Sequence, residues 1–121
     1  MSRLSVLQIN TVVDQNNAVA KVVNGIHRRL SEAGIDSTVA YGRGNSDMDN
    51  GVRIGSCTDV IFHTLGSRLT DSEGLYSARS TRRFLDRIDE MKIDVVHLHN
   101  IHGHYLNYPE LFKWIKRRGL P

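Results

Sequence analysis

The sequence has a single cysteine and no long apolar run, and each scarcity excludes a class of protein. Cys57 is the only cysteine in 121 residues, so an internal disulfide is excluded and a reducing compartment is expected. No apolar stretch approaches the roughly 18–20 residues that cross a bilayer. Residues 1–8 enter an apolar strand pattern directly and lack the pattern of a signal peptide. We therefore expect a cytoplasmic protein.

Familiar catalytic and nucleic-acid motifs are missing as well. No serine lies in a G-x-S-x-G turn, and Cys57 has no catalytic signature around it. The chain has no internal repeat and no low-complexity linker, which predicts one modest domain. A net charge of +3 and a pI near 9.3 mildly favour anionic partners.

Strand and helix patterns alternate along the chain. Short apolar strands are predicted at residues 4–10, 37–41 and 52–54, and around Val95, Val96 and Leu98. Helices are predicted between them, with a stop at Gly34, caps at Thr58 and Ser80, and a start at Pro109. The predicted buried stripes are Val19, Val22, Val23, Ile26, Leu30 and Ala33; Val60, Ile61, Leu65 and Leu69; Phe84, Leu85, Ile88 and Met91; and Leu111, Phe112 and Ile115.

This alternation predicts an α/β fold, a partial Rossmann-like open parallel sheet with helices on both faces. Residues 1–121 would form one truncated domain, because the chain stops at Pro121 where another strand is expected. We expect the front part of a larger domain, whose open sheet edge favours a homodimer.

Four of the six histidines lie at the carboxyl end of the fourth strand, namely His97, His99, His102 and His104. In open α/β sheets, ligands bind beyond the carboxyl ends of the strands. Three interpretations remain open: zinc ligation through the H-x-H spacing, histidines that merely hydrogen-bond backbone, and a pocket in which imidazoles and the Asn100 amide bind sugar hydroxyls.

Three other features have both a plain and a functional interpretation. The loop from Thr11 to Asn17 lacks glycine, so Asn16 and Asn17 either cap a helix or face phosphates. Arg43 lies between two glycines, in an ordinary turn or at an anion site. The basic helix faces are either solvated or contact an acidic membrane surface; they contain Arg79, Arg82, Arg83, Arg87, Lys116, Arg117 and Arg118.

Several blocks of sequence resemble the N-terminal part of bacterial family 4 glycosyltransferases of the capsular and colanic-acid exopolysaccharide type. The blocks run in order over essentially the whole chain, and the one that begins at Val96 is the most specific. They are Val-Leu-Gln-Ile-Asn-Thr-Val-Val from Val6, Ala-Tyr-Gly-Arg-Gly from Ala40, Ser-Arg-Leu-Thr-Asp from Ser67 with Gly74, and Val-His-Leu-His-Asn-Ile-His-Gly-His-Tyr-Leu-Asn from Val96.

The resemblance implies a GT-B fold, in which two Rossmann-like domains face a cleft and a sugar passes from a nucleotide-sugar to a glycan or lipid-linked acceptor with retention. It implies no metal and no other cofactor. By position, residues 11–17 would be the loop over the donor phosphates, including Thr11, Asn16 and Asn17. His99, Asn100 and His102 would line the cleft, and Arg43 and Asp71 would stand near the acceptor.

Two further expectations follow from the resemblance. The family's first loop usually has glycines and an arginine, whereas this chain has Asn-Asn-Ala-Val-Ala-Lys from Asn16. The donor-binding second domain is absent, so we expect the 121 residues alone to be inactive. The alternatives are a non-catalytic binding or oligomerisation module and a metal-binding protein built on the histidines.

Overall fold

A four-stranded parallel sheet forms the centre of the fold. The computed structural model describes residues 3–12, 17–43, 51–54, 78–101 and 106–121. Its strands are β1 (Ser5–Val12), β2 (Asp36–Arg43), β3 (Gly51–Arg53) and β4 (Val95–Leu98). They lie in the order β3-β2-β1-β4, and every neighbouring pair is parallel. The first three strands are therefore added toward one edge of the sheet, and β4 is added on the other side of β1, as in a doubly wound fold.

Within the described residues, three helices pack on the two faces of this sheet: α1 (Ala18–Glu32), α2 (Ala78–Asp89) and α3 (Tyr108–Arg118). α1 covers one face, where Val23 packs with Val39 and Tyr41. α2 and α3 cover the other face, in a larger core that includes Leu7 and Ile9 of β1. The predicted α/β class, with an open parallel sheet and helices on both faces, is confirmed.

The ends of the helices follow local sequence signals. Asn17 caps α1, its side-chain oxygen accepting from the amides of Val19 and Ala20 at 3.0 and 3.1 Å. Gly34 ends α1 with a φ of +79°, while Ile35 N–H donates to the carbonyl of Leu30. The predicted stop at Gly34 is thus confirmed. Pro109 lies in the first turn of α3, as predicted.

Several predicted helix positions are wrong. Ser80 lies inside the first turn of α2 rather than at its cap. Met91 is 41% exposed because α2 ends at Asp89, two residues earlier. In α3, Phe112 is 45% exposed and Trp114 is buried instead. Leu111 and Trp114 are three residues apart and share a face, whereas Phe112 lies about 100° further round the helix.

The predicted stripe of α1 is also partly wrong. Val23 is buried, but Val19 and Val22 are 40% and 55% exposed. The buried residues of α1 are Ala20 and Val23. Each exposed valine lies one residue before a buried one, about 100° round the helix from the face that meets the sheet. The predicted helix from Thr58 to Leu69 lies outside the described residues.

The C-terminal residue lies beside β4. The amide of Val96 donates to the carbonyl of Pro121 at 3.0 Å, on the side of β4 away from β1. The predicted pairing of two copies along this edge stays a prediction.

Candidate functional site

The candidate site lies where β1 and β4 end side by side. The parallel register pairs Gln8 with His97 and Ile9 with Leu98, so the residues that follow both strands meet at one edge of the sheet. The amide of His99 continues the ladder by donating to the carbonyl of Ile9 at 3.0 Å. This edge is the place where open α/β sheets bind ligands.

Polar contacts connect the two strand ends. The backbone N–H of Asn100 donates to Oδ1 of Asn10 at 3.2 Å, and the Thr11 hydroxyl donates to the backbone carbonyl of Asn100 at 3.3 Å. Thr11 and Asn100, predicted separately from distant parts of the sequence, therefore lie in direct contact. The strand ends form one polar surface made of side-chain and backbone groups from both strands.

His99 is held by a residue that the sequence analysis did not select. Its Nε2 lies 2.7 Å from Oε1 of Gln8, on β1. Gln8 is fully buried, and its Nε2 donates to the carbonyl of Val23 on α1 at 3.2 Å. The Gln8 amide thus links α1, β1 and the ring of His99. The available signal was the alternation of the polar residues Gln8 and Asn10 with apolar residues in the middle of the strand.

The rings of His97 and His99 stack, with centroids 4.1 Å apart and planes inclined by 22°. This contact follows from their i and i+2 positions, which share one face of the strand. Partial burial, and then the neighbouring His97, hold the pKa of His99 below its ordinary value of 6.5. At neutral pH the His99 ring is therefore uncharged.

The structure describes only some of the other predicted site residues. The oxygen of Asn17 is used by the first amides of α1, which fits the plain cap interpretation. Arg43 ends β2, paired in register with Val12 of β1. Asn16, Asp71 and His102 lie outside the described residues.

The metal interpretation rests on too few ligands in the part of the chain that the structure describes. Within the described ranges, no group of three His, Cys, Asp or Glu side chains is close enough to hold a metal ion. The stacked pair of His97 and His99 would need a third ligand from elsewhere.

The pH dependence of stability tests the environment of His99. Its pKa is lower in the folded chain than in the unfolded chain, so its contribution to stability is complete above pH 6.5. That contribution is lost as the pH falls through the folded pKa. We expect urea unfolding to show that the free energy of unfolding falls as the pH is lowered from 8 to 5. The fall should be smaller in His99→Gln than in the wild type. A His99 ring that titrates by NMR at or above pH 6.5 would contradict this environment.

None of the helices in the described ranges has the length and apolar character that a membrane crossing requires.

Comparisons with known proteins add no assignment to this geometry. No protein-family model, curated protein or solved structure matches the chain.

Proposed function

We propose that the chain is the acceptor-side, N-terminal domain of a retaining glycosyltransferase that uses a nucleotide-sugar donor. One observation carries the proposal: an imidazole held by a buried amide and a backbone-anchored asparagine stand together at the carboxyl edge of a parallel sheet. Sugars present many hydroxyls, which act as both donors and acceptors, and neutral imidazole and amide groups complement them. The sequence blocks that resemble exopolysaccharide glycosyltransferases support the same assignment.

In the proposed complex, His99 and Asn100 hydrogen-bond sugar hydroxyls, and the N-terminus of α1 faces the donor side of the cleft. Asn17 keeps the first turn of α1 formed, so that turn provides a fixed positive end of a helix dipole. Departure of a nucleotide diphosphate needs further positioned donors and cations. We assign these to the second domain implied by the resemblance, and the 121 residues on their own bind without transferring sugar.

Binding by NMR tests this proposal. We expect the methyl glycosides of glucose, galactose and mannose, titrated separately, to shift the amide signals of Thr11, His99 and Asn100. His99→Ala should weaken the response to any ligand that binds. Phe112→Ala, an exposed change on the opposite face of the sheet, is the matched control and should leave the response unchanged.

Two outcomes contradict parts of the proposal. Sugar transfer by the purified chain from a nucleotide-sugar would overturn its inactivity in isolation. Absence of any response at the strand ends, together with a dimeric mass in solution, would favour the non-catalytic oligomerisation module.

A peripheral membrane contact remains a separate proposal. α2 and α3 together carry eight Lys or Arg and three Asp or Glu residues. Arg82 pairs with Glu110 at 3.2 Å, and Arg118 pairs with Asp89 at 3.1 Å. These two pairs join the helices to each other, and Lys113 lies 4.0 Å from Glu110 as well. The other basic residues of these helices are candidates for contact with an acidic membrane.

A further inference from the structure

The neighbours of the buried Gln8 side chain determine which way its amide oxygen and NH₂ group face. On one side it meets the carbonyl oxygen of Val23 at 3.2 Å, and on the other it meets Nε2 of His99 at 2.7 Å. A carbonyl oxygen can only accept a hydrogen bond, so the NH₂ group of Gln8 must face Val23. The opposite orientation would place two oxygen acceptors against each other in a fully buried site.

The orientation of Gln8 then determines the tautomer of His99. Oε1 of Gln8 only accepts, so Nε2 of His99 must carry the proton that forms the 2.7 Å bond. In a neutral imidazole the second nitrogen is an acceptor. Nδ1 of His99 therefore offers a lone pair, and no contact in the described part of the structure uses it.

The surroundings of the ring favour its neutral form. His99 is partly buried and stacks on His97, so protonating it would place a cation against a second imidazole in a poorly solvated position. A neutral acceptor attracts hydroxyl and other N–H or O–H donors. It repels sulfate and carboxylate oxygens, which at neutral pH have no proton to offer.

We propose that Gln8 is a positioning residue that fixes Nδ1 of His99 as a hydrogen-bond acceptor, so that this edge selects uncharged, hydroxyl-bearing ligands over anions. The positioning of the ring stands on geometry alone, whereas the choice of a sugar hydroxyl as ligand rests on the proposed function. Gln8 itself touches no ligand in this proposal and acts only through His99.

Two substitutions separate this role from a merely structural one. Gln8→Met keeps the length of the side chain but cannot hydrogen-bond His99 as an amide does. Gln8→Glu keeps an oxygen that accepts from Nε2, but its second oxygen replaces the donor to Val23 and faces the carbonyl oxygen at a cost in stability. We expect two-bond ¹H–¹⁵N spectra to show the Nε2–H tautomer for His99 in the wild type and in Gln8→Glu. Gln8→Met should show a mixture of tautomers.

The same variants test ligand choice, with methyl glycosides and inorganic sulfate as probes. Loss of one oriented neutral hydrogen bond corresponds to a fall of about 2- to 10-fold in affinity, which we expect for the glycosides in Gln8→Met. Far-UV circular dichroism checks that each variant folds. If Gln8→Met does not fold, the wild type and Gln8→Glu still report the tautomer.

The outcomes distinguish the two proposals. A wild-type His99 that carries its proton on Nδ1, or an unchanged tautomer in Gln8→Met, overturns the positioning role. The Nε2–H tautomer without any glycoside binding overturns the sugar ligand and with it the proposed function, while the role of Gln8 in orienting the ring stands. Sulfate that binds at His99 more tightly than the glycosides overturns the selection of uncharged ligands.

Discussion

Trp114→Ala is expected to lower the free energy of unfolding by about 3–5 kcal/mol, the usual cost of truncating a large buried aromatic residue. Trp114 is 1% exposed and belongs to the core between the sheet and the helices α2 and α3. Its indole Nε1 also donates to Oδ1 of Asp89 at 2.7 Å. The substitution therefore removes apolar packing and leaves the Asp89 carboxylate with one donor fewer.

Urea unfolding followed by circular dichroism measures this loss, and α3 supplies its own control. Phe112, two residues away on the same helix, is 45% exposed, so Phe112→Ala should cost much less, about 0.5–1 kcal/mol. Trp114→Phe keeps an aromatic ring and loses the bond to Asp89, with an expected cost of about 1–3 kcal/mol. A loss from Phe112→Ala as large as that from Trp114→Ala would contradict the described packing of α3.

The packing of α3 matters for the candidate site because α3 anchors one end of the histidine-rich segment. This segment follows β4, and Leu106 and Asn107 at its far end are both buried. The backbone N–H of Asn107 donates to the hydroxyl of Thr81 on α2 at 2.9 Å, and the Asn107 side chain caps α3. Since both ends of the segment are attached to packed elements, loosening α3 would also loosen the strand-end surface.

Most of the fold could be predicted from the sequence because its signals are local. Gly34 ends α1 through a left-handed backbone conformation that only nearby residues determine. Apolar runs of strand length with helical spacing between them suffice to predict a parallel sheet. Helix faces were less predictable: Phe112 and Trp114 are both aromatic, and only the position of the sheet decides which of them is buried.

The candidate site could be predicted in outline but not in its connections. The polar end of β4 indicated His99 and Asn100, since histidines after a buried strand are conspicuous in sequence. Gln8 was missed, because its two partners lie 15 and 91 residues away in sequence and neither contact leaves a periodic pattern. Such a residue is detected only when the register of β1 and β4 is known.

The second large effect is expected on α1, where adjacent valines have opposite environments. Val23 is fully buried against the sheet and Val22 is 55% exposed. Val23→Ala removes two buried carbon atoms at about 0.8 kcal/mol each and leaves a small cavity, for an expected loss of about 1.5–3 kcal/mol. Val22→Ala loses little burial and gains a few tenths of a kcal/mol in helix propensity, so its net effect should lie within about 0.5 kcal/mol of zero.

The comparison isolates burial, because both variants make the same chemical change in the middle of one helix and gain the same propensity. The structural reason for the difference lies in the sheet face under α1, where His27 and the buried Ser37 are hydrogen-bonded at 2.7 Å and Gln8 binds the carbonyl of Val23. These polar contacts turn one side of α1 toward the sheet and leave Val22 on the outer side. Urea unfolding at two protein concentrations measures both losses. Equal losses would contradict this orientation, and equal losses that grow with protein concentration would mean that a second copy covers the outer side of α1.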